Sequence, residues 1–400
     1  MLPYPPQSIS KTPNIFVLSR PLKILLVGDA SSYHRTLARG LESLGHTAVV
    51  ASHGGYWLNT GRDIDLARRS KGKLGGLDLW LRINFGIKQK MRGFDVVSIA
   101  TINFVELRPH RKSPFFDYLK AHNASIFNTA LGTDPNYVET CLDPDSPLKY
   151  NEFKIYGEDS PYLKSRPGIC DEWLSADMRR LDRHIYDSID GAVSVLYEND
   201  VAVRRILPPE KIAYAGIPID TDALQPVELP DRPEKVRLFL GRYRHRLLEK
   251  GTDVMEYAAR AVVDRHPDKA ELVIVENRPY DEYLELLKSA HVVLDQLYSY
   301  TPATNALQAM AYGLNTVSGG APEYYDFIGE RELRPVIHVE PDYESVVRQL
   351  EDVVTHPESI RPRGLQGREF VVKHNDYRVV ACRAVDFWTR RLEAKKGGTD

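Results

Sequence analysis

Cysteine is scarce in this chain: three residues in 400, at Cys141, Cys170 and Cys382. They are far apart and form no CxxC pair. Neither a disulfide framework nor a zinc cluster is encoded, and a reducing compartment is the simplest reading. Long apolar runs are missing too. None approaches about 18 residues, which leaves no candidate for a membrane-spanning helix. Neither sign of charge is in excess, with 53 Lys and Arg against 55 Asp and Glu. That balance excludes a protein built mainly to coat nucleic acid, so no nucleic-acid partner is expected. Residues 1–20 are rich in Pro and Ser and lack the apolar centre of a signal peptide. We read them as a flexible tail and expect a cytoplasmic location. His34, His46, His110, His122 and His184 are scattered singly, with no Ser-His-Asp pattern and no metal-ligand spacing. The dinucleotide fingerprint GxGxxG is also absent: after Gly28 the next glycine is Gly40, which counts against an NAD-dependent dehydrogenase.

What is present is an ordinary globular composition, 42% apolar and 27% charged. A chain of this length can hold two or three separate cores. Continuous apolar runs alternate with helical periodicity. The run 22–28 suits a strand buried on both faces of a parallel sheet. Leu37, Leu41 and Leu44 follow at helical spacing, Gly45 stops the helix, and 47–51 is the second strand. Further strands are expected at 94–99, 124–128 and 191–196. A second alternation starts at 236–241. It continues with a helix at 252–265, strands at 271–275 and 290–295, a helix opening near 301–313, and strands at 315–318 and 336–339. Pro218, Pro226, Pro230 and Pro233 interrupt regular structure between the two. The expected fold is therefore α/β, with two doubly wound Rossmann-like domains facing across a cleft. Its parts are a tail (1–20), an N-terminal domain (21–216), a linker (217–234), a C-terminal domain (235–375) and a terminal helix (376–400) that packs back on the first domain. Ligands of such sheets bind at the carboxyl ends of the strands.

Several loops carry chemistry at those ends. Gly241-Arg242-Tyr243-Arg244-His245-Arg246 and Lys250-Gly251 follow the first strand of the second domain. Their cations can grip a diphosphate; the plainer reading is a solvated basic loop. Arg242 and Lys250 stand out because each adjoins a glycine that lets the backbone approach. Thr304 and Asn305 open a helix whose first turn has free N–H groups and the positive dipole end, both suited to phosphate. Gly28 makes a strand-to-helix turn, and Ser31 and Ser32 either cap that helix or meet a ligand. Asp134, after the strand near Ile126, either binds a sugar hydroxyl or caps a turn. Residues 62–92 hold nine Lys and Arg against three Asp, interleaved with Leu and Trp80. They read as a solvated helix with a core-facing side or as a peripheral contact with an anionic membrane, with Trp80 as an anchor.

These residues together resemble the GT-B glycosyltransferases, specifically the large retaining family four (glycosyl transferases group one). The resemblance spans about 22–395 and is strongest from Ala213 to Glu323. Gly216-Ile217-Pro218-Ile219-Asp220, Gly241-Arg242 with Lys250-Gly251, and Gln308-Ala309-Met310-Ala311-Tyr312-Gly313 are similar to that family's motifs, and Gly45-His46 more weakly so. The resemblance implies a metal-independent hexosyltransferase with no cofactor. It would use a UDP- or GDP-sugar and work with retention in polysaccharide or lipid-linked glycan assembly. It implies Arg242 and Lys250 as the catalytic cations. Gly241, Asn277, Arg278, Tyr300, Thr304, Asn305, Gln308 and Glu323 would bind the donor, and Gly28, Ser31 and Asp134 a glycan, lipid-linked or small-molecule acceptor. Three positions depart from the pattern. Tyr300 and Gln308 stand where the family has two glutamates, and Leu131-Gly132-Thr133-Asp134 lacks its histidine. They motivate the alternative of a non-catalytic GT-B-like protein that binds a nucleotide sugar or a partner.

Overall fold

The computed structural model describes residues 20–55, 60–276 and 278–398. The expected tail thus lies outside the described residues except for Arg20, and so does Asn277. In chain order the strands are β1 (Lys23–Val27), β2 (Thr47–Ser52), β3 (Ile64–Asp65), β4 (Val96–Ala100) and β5 (Ile126–Ala130). A hairpin follows, β6 (Lys154–Ile155) and β7 (Glu158–Asp159), then β8 (Gly191–Ser194) and β9 (Ile212–Tyr214). The last five are β10 (Val236–Gly241), β11 (Ala270–Val275), β12 (Val292–Leu294), β13 (Asn315–Ser318) and β14 (Ile337–His338). One sheet runs β3-β2-β1-β4-β5-β8-β9 and a second β11-β10-β12-β13-β14. Neighbours in both are parallel throughout. This is what the continuous apolar runs require: Ile24, Leu25, Leu26 and Val27 expose no surface, because crossover helices cover both faces.

The described residues form two compact units: 20–140, 169–218 and 377–398 in the first, 141–168 and 219–376 in the second. Each has its own core, around Leu25, Val97 and Phe116 in the first and around Phe239, Leu294 and Val346 in the second. Helix α1 (Tyr33–Ser43) follows β1 in the first unit. The helix Tyr377–Lys396 lies in the same unit, with Arg39 of α1 over the Tyr377 ring at 5.7 Å. The proline-rich stretch after Pro218 forms no helix or strand and is tied to the second unit, Val227 donating its N–H to the Tyr312 carbonyl at 2.9 Å. Residues 141–168 also belong to the second unit, although they interrupt the first in sequence. Their side chains explain it. Tyr150 stacks on Tyr300 with ring centroids 4.4 Å apart, Ile155 packs on the second core, and the Tyr156 hydroxyl donates to Glu340 at 2.6 Å. Among the described residues no helix is long and apolar enough to cross a membrane.

Each sheet reverses its order of growth once, between β1 and β4 and between β10 and β12. Connections leave such a point on opposite faces, which opens a crevice at the carboxyl ends of the two strands.

Candidate functional site

At the β10/β12 switch point stand Gly241 at the end of β10, Arg242 after it, and Lys250 and Asn305 around Asp295 after β12. The Arg242 N–H donates to Val275 of β11 at 2.8 Å. Its guanidinium is held by two carboxylates, Nε on Glu276 at 2.8 Å and Nη1 on Glu256 at 3.1 Å. Arg244 also donates to Glu276, and these hydrogen bonds, Arg244's first, hold the Glu276 carboxyl below the usual range. The loop is therefore not simply a solvated basic one: acids from the end of β11 and from the helix Thr252–Arg265 meet its charge. Lys250 lies with Nζ 3.3 Å from Oδ1 of Asp295. Sequence reasoning misses Asp295, yet it is the hub. It follows β12, is 3% exposed, and accepts from Lys250 and from Asn305 Nδ2 (3.3 Å) on Oδ1 and from Ser318 (3.2 Å) on Oδ2. Its one sequence signal is a carboxylate directly after a buried apolar strand. Asn305 in turn accepts from the Tyr283 hydroxyl at 2.8 Å.

The two glycines beside the cations serve packing. A Cβ on Gly241 would meet the Tyr283 hydroxyl at 2.8 Å, and one on Gly251 would meet Leu297 Cβ at 2.7 Å. The space read from sequence as room for a ligand is filled by protein.

The helix Thr304–Ala311 starts where expected, and Ala303 before it makes no side-chain cap. The first-turn N–H groups of Thr304 and Asn305 have no acceptor one turn back. Gln308 is half-buried one turn on, on the same face as Thr304. Tyr300 departs from the expected donor contact. It is 1% exposed beneath Tyr150, and its hydroxyl accepts the Lys149 N–H at 2.7 Å. Glu323 is exposed in the first turn of the helix Pro322–Phe327. Arg278 is exposed as well, 3.7 Å from Glu282.

The first unit has a different furnishing at its switch point. Gly28 takes φ +82°, and a Cβ there would meet the Phe104 carbonyl at 2.9 Å. Ser31 and Ser32 both have positive φ, 52° and 61°. Such geometry costs a non-glycine residue about 1 kcal/mol or more. Ser32, at the N-cap of α1, makes no side-chain cap bond; Asp29 holds that end instead, Oδ1 accepting the His34 N–H at 3.0 Å and Oδ2 the Thr60 hydroxyl at 3.1 Å. Burial raises the Asp29 carboxyl against those two hydrogen bonds. His34 exposes no surface, and burial lowers it to about 4. As a neutral ring it donates Nδ1–H to the Gly28 carbonyl (2.7 Å) and accepts at Nε2 from Thr129 (3.3 Å). Of the two readings of Asp134, the cap is the one realised. It is 7% exposed and accepts the Tyr137 N–H at 2.8 Å, which closes the N-terminus of the helix Pro135–Leu142, and the Tyr186 hydroxyl at 3.0 Å. Asp182 beside it is pushed up to about 8, first by burial and then by the Asp134 charge. Among the described residues no cluster of His, Cys, Asp or Glu could hold a metal ion.

No family model and no curated relative matches the chain. Solved structures do. A sucrose-phosphate synthase from Thermosynechococcus elongatus aligns with a TM-score of 0.61 at 13% identity, over 93% of this chain and 100% of that one. HepE from Anabaena, solved in complex with UDP and glucose, aligns with a TM-score of 0.58 at 10% identity, over 92% of this chain and 100% of that one. MnaA of S. aureus, solved with UDP, gives 0.53 at 10% identity, over 93% and 97%. The fold is GT-B. The two Rossmann-like domains expected from the alternating strands and helices are those of this fold. Likeness at such identities carries architecture alone, so function has to be argued from the site.

Proposed function

We propose that this chain is a glycosyltransferase that holds a nucleoside-diphosphate sugar at the β10/β12 switch point of its second unit. The observation that carries this reading is that Lys250 and Asn305, in the first turn of the helix Thr304–Ala311, meet at Asp295 after β12, while Arg242 follows β10 at the same switch point. The diphosphate oxygens accept from the Thr304 and Asn305 N–H groups and from the two cations. The cations are already oriented by Glu256, Glu276 and Asp295, and preoriented charge is what stabilises a departing diphosphate. A guanidinium has five N–H donors, so Arg242 can keep a carboxylate and still meet phosphate. Gln308 contacts the ribose as a neutral hydrogen-bonding group. Glu323 and Arg278 flank the nucleotide. HepE and MnaA were solved with UDP, which supports UDP ahead of GDP as the nucleotide.

Transfer proceeds with retention and without a metal in this reading. The bond from the sugar's anomeric carbon to the diphosphate breaks. The acceptor oxygen bonds on the same face, and its proton passes to the departing phosphate oxygen, so no separate base is required. The acceptor is a glycan, a lipid-linked glycan or a small hydroxyl compound, met by the first unit around Gly28 and Ser31.

Tyr300 favours a second reading. A buried tyrosine roofed by Tyr150 replaces a carboxylate that would reach the donor sugar, which fits a protein that binds a nucleotide sugar without turning it over. A thermal-shift panel of UDP-, GDP-, CMP- and dTDP-sugars with NAD, on wild type and Arg242→Ala, tests both. A ligand at 100 times its Kd adds about 2.7 kcal/mol. A shift with one nucleotide sugar, lost in the variant, supports the site; transfer or hydrolysis then separates the enzyme from the binder. No shift with any nucleotide sugar removes both readings.

A further inference from the structure

Helix α2 (Gly72–Phe85) in the first unit is apolar on more than one side. Gly75, Leu79 and Ile83 face the core. Leu74 and Phe85 are 77% and 79% exposed, and Leu77 and Leu81 are exposed with them. At about 100° per residue these four fall within an arc of roughly 80°, on the side away from Leu79 and Ile83. Trp80, the anchor expected from sequence, is not among them. It packs half-buried against the core with the Arg111 guanidinium over its ring at 5.2 Å.

The charge around this stripe is of one sign. From Arg68 to Arg92 there are eight Lys and Arg and one acid, Asp78, which pairs with Arg82 at 3.0 Å. Arg69, Lys71 and Lys73 are exposed at one end of the helix, Lys90 and Arg92 beyond the other. Cations at a helix N-terminus oppose its dipole, and helix stability does not account for them.

We propose that α2 is a docking face for an anionic lipid surface. The helix would lie in the interfacial plane, with Leu74, Leu77, Leu81 and Phe85 among the acyl chains and the flanking cations at the headgroups. Charge complementarity selects this occupant over a second copy of the chain, because pairing two α2 faces would bring both cation sets together against a single acid each. The inference stands apart from the donor site and does not depend on it.

The test is co-sedimentation of the full chain with vesicles of phosphatidylcholine alone or with about 30% phosphatidylglycerol, the anionic fraction supplying the surface potential. Wild type should pellet with the anionic vesicles. Salt near 0.5 M, where the Debye length is about 4 Å, should release it. Leu81→Gln/Phe85→Gln changes only exposed side chains and should bind at least about tenfold more weakly at an unchanged melting temperature. Lys71→Gln/Lys73→Gln/Lys90→Gln should weaken binding to the anionic vesicles by about tenfold or more. Equal pelleting with neutral vesicles, or undiminished binding by the Leu81/Phe85 variant, overturns the proposal. So does a wild-type dimer that this variant splits, without vesicle binding, which would give the stripe to a second copy.

Discussion

After β10 the two cations, Arg242 and Lys250, have carboxylate partners and keep some contact with water. Arg242 is 28% exposed between Glu256 and Glu276, and Lys250 is 25% exposed against Asp295. Around the end of β1 and its neighbours His34, Asp29, Asp134 and Asp182 are buried, and burial drives them toward neutrality: His34 down to about 4, Asp29 and Asp134 up, Asp182 up to about 8. The physical consequence differs. A half-exposed cation can take a phosphate oxygen alongside its carboxylate at little desolvation cost. A buried neutral group that accepts a charge must lose its pairing and carry that charge out of water. This is why we place the charged diphosphate on the second unit and a neutral hydroxyl acceptor on the first.

The comparison can be broken most directly at its charged side. Arg242→Ala should lower kcat/KM by about 2–4 kcal/mol of barrier, roughly 30- to 1000-fold, the cost of losing one charge-stabilising donor. Turnover like wild type would remove Arg242 from the diphosphate grip. On the neutral side, His34 has a folded value near 4, below the ordinary 6.5. Its contribution is fully present above about pH 6.5 and is lost as pH falls through 4, about 3 kcal/mol in all. Denaturant titrations between pH 7 and 4 should show this slope in wild type and a flatter one in His34→Gln. Asp182 runs the opposite way, because its folded value is raised to about 8. Its contribution is present below about pH 4 and disappears as pH rises through 8. Asn136 Nδ2 donates to Asp182 at 2.7 Å, so Asp182→Asn keeps an acceptor for it and should be more stable than wild type at pH 8 by about 1–2 kcal/mol, discounted because Asp134 shares the same charge. A lower melting temperature for the variant at that pH would contradict the buried-pair account. The smallest effect belongs to Tyr283→Phe. It removes the 2.8 Å hydrogen bond to Asn305 and should cost about 1 kcal/mol by chemical denaturation.

All five strands of the second sheet and five of the seven in the first are legible in the order of residues; β3 and β9, of two and three residues, are too short to show a pattern. Runs such as Lys23–Val27 and Val236–Gly241 are apolar along most of their length, and that pattern suits strands covered on both faces. The helix Thr252–Arg265 and the start of the helix at Thr304 are legible as well, because periodicity and flanking residues are local signals. The loop cations are visible in the sequence; their partners are not. Arg242 meets Glu276 because Gly241 pairs with Val275 in the parallel register of β10 and β11, and no feature of either residue's own neighbourhood announces that register. The choice at Asp134 between sugar contact and cap is open in the sequence for the same reason: it turns on burial beside Tyr186 and Asp182.

The sequence by itself determined the two α/β units, the order of their longer strands, and the set of charged loops at the strand ends, because hydrophobic period and turn chemistry act over a few residues. Only the tertiary structure decided that residues 141–168 join the second unit through Tyr150 and Tyr156, that Asp295 ties Lys250 to Asn305, and that α2 buries Leu79 while leaving Leu81 in water. Each of these depends on which apolar surface wins contact with which core. A helix or segment that is apolar on several sides does not carry that answer in its own order of residues.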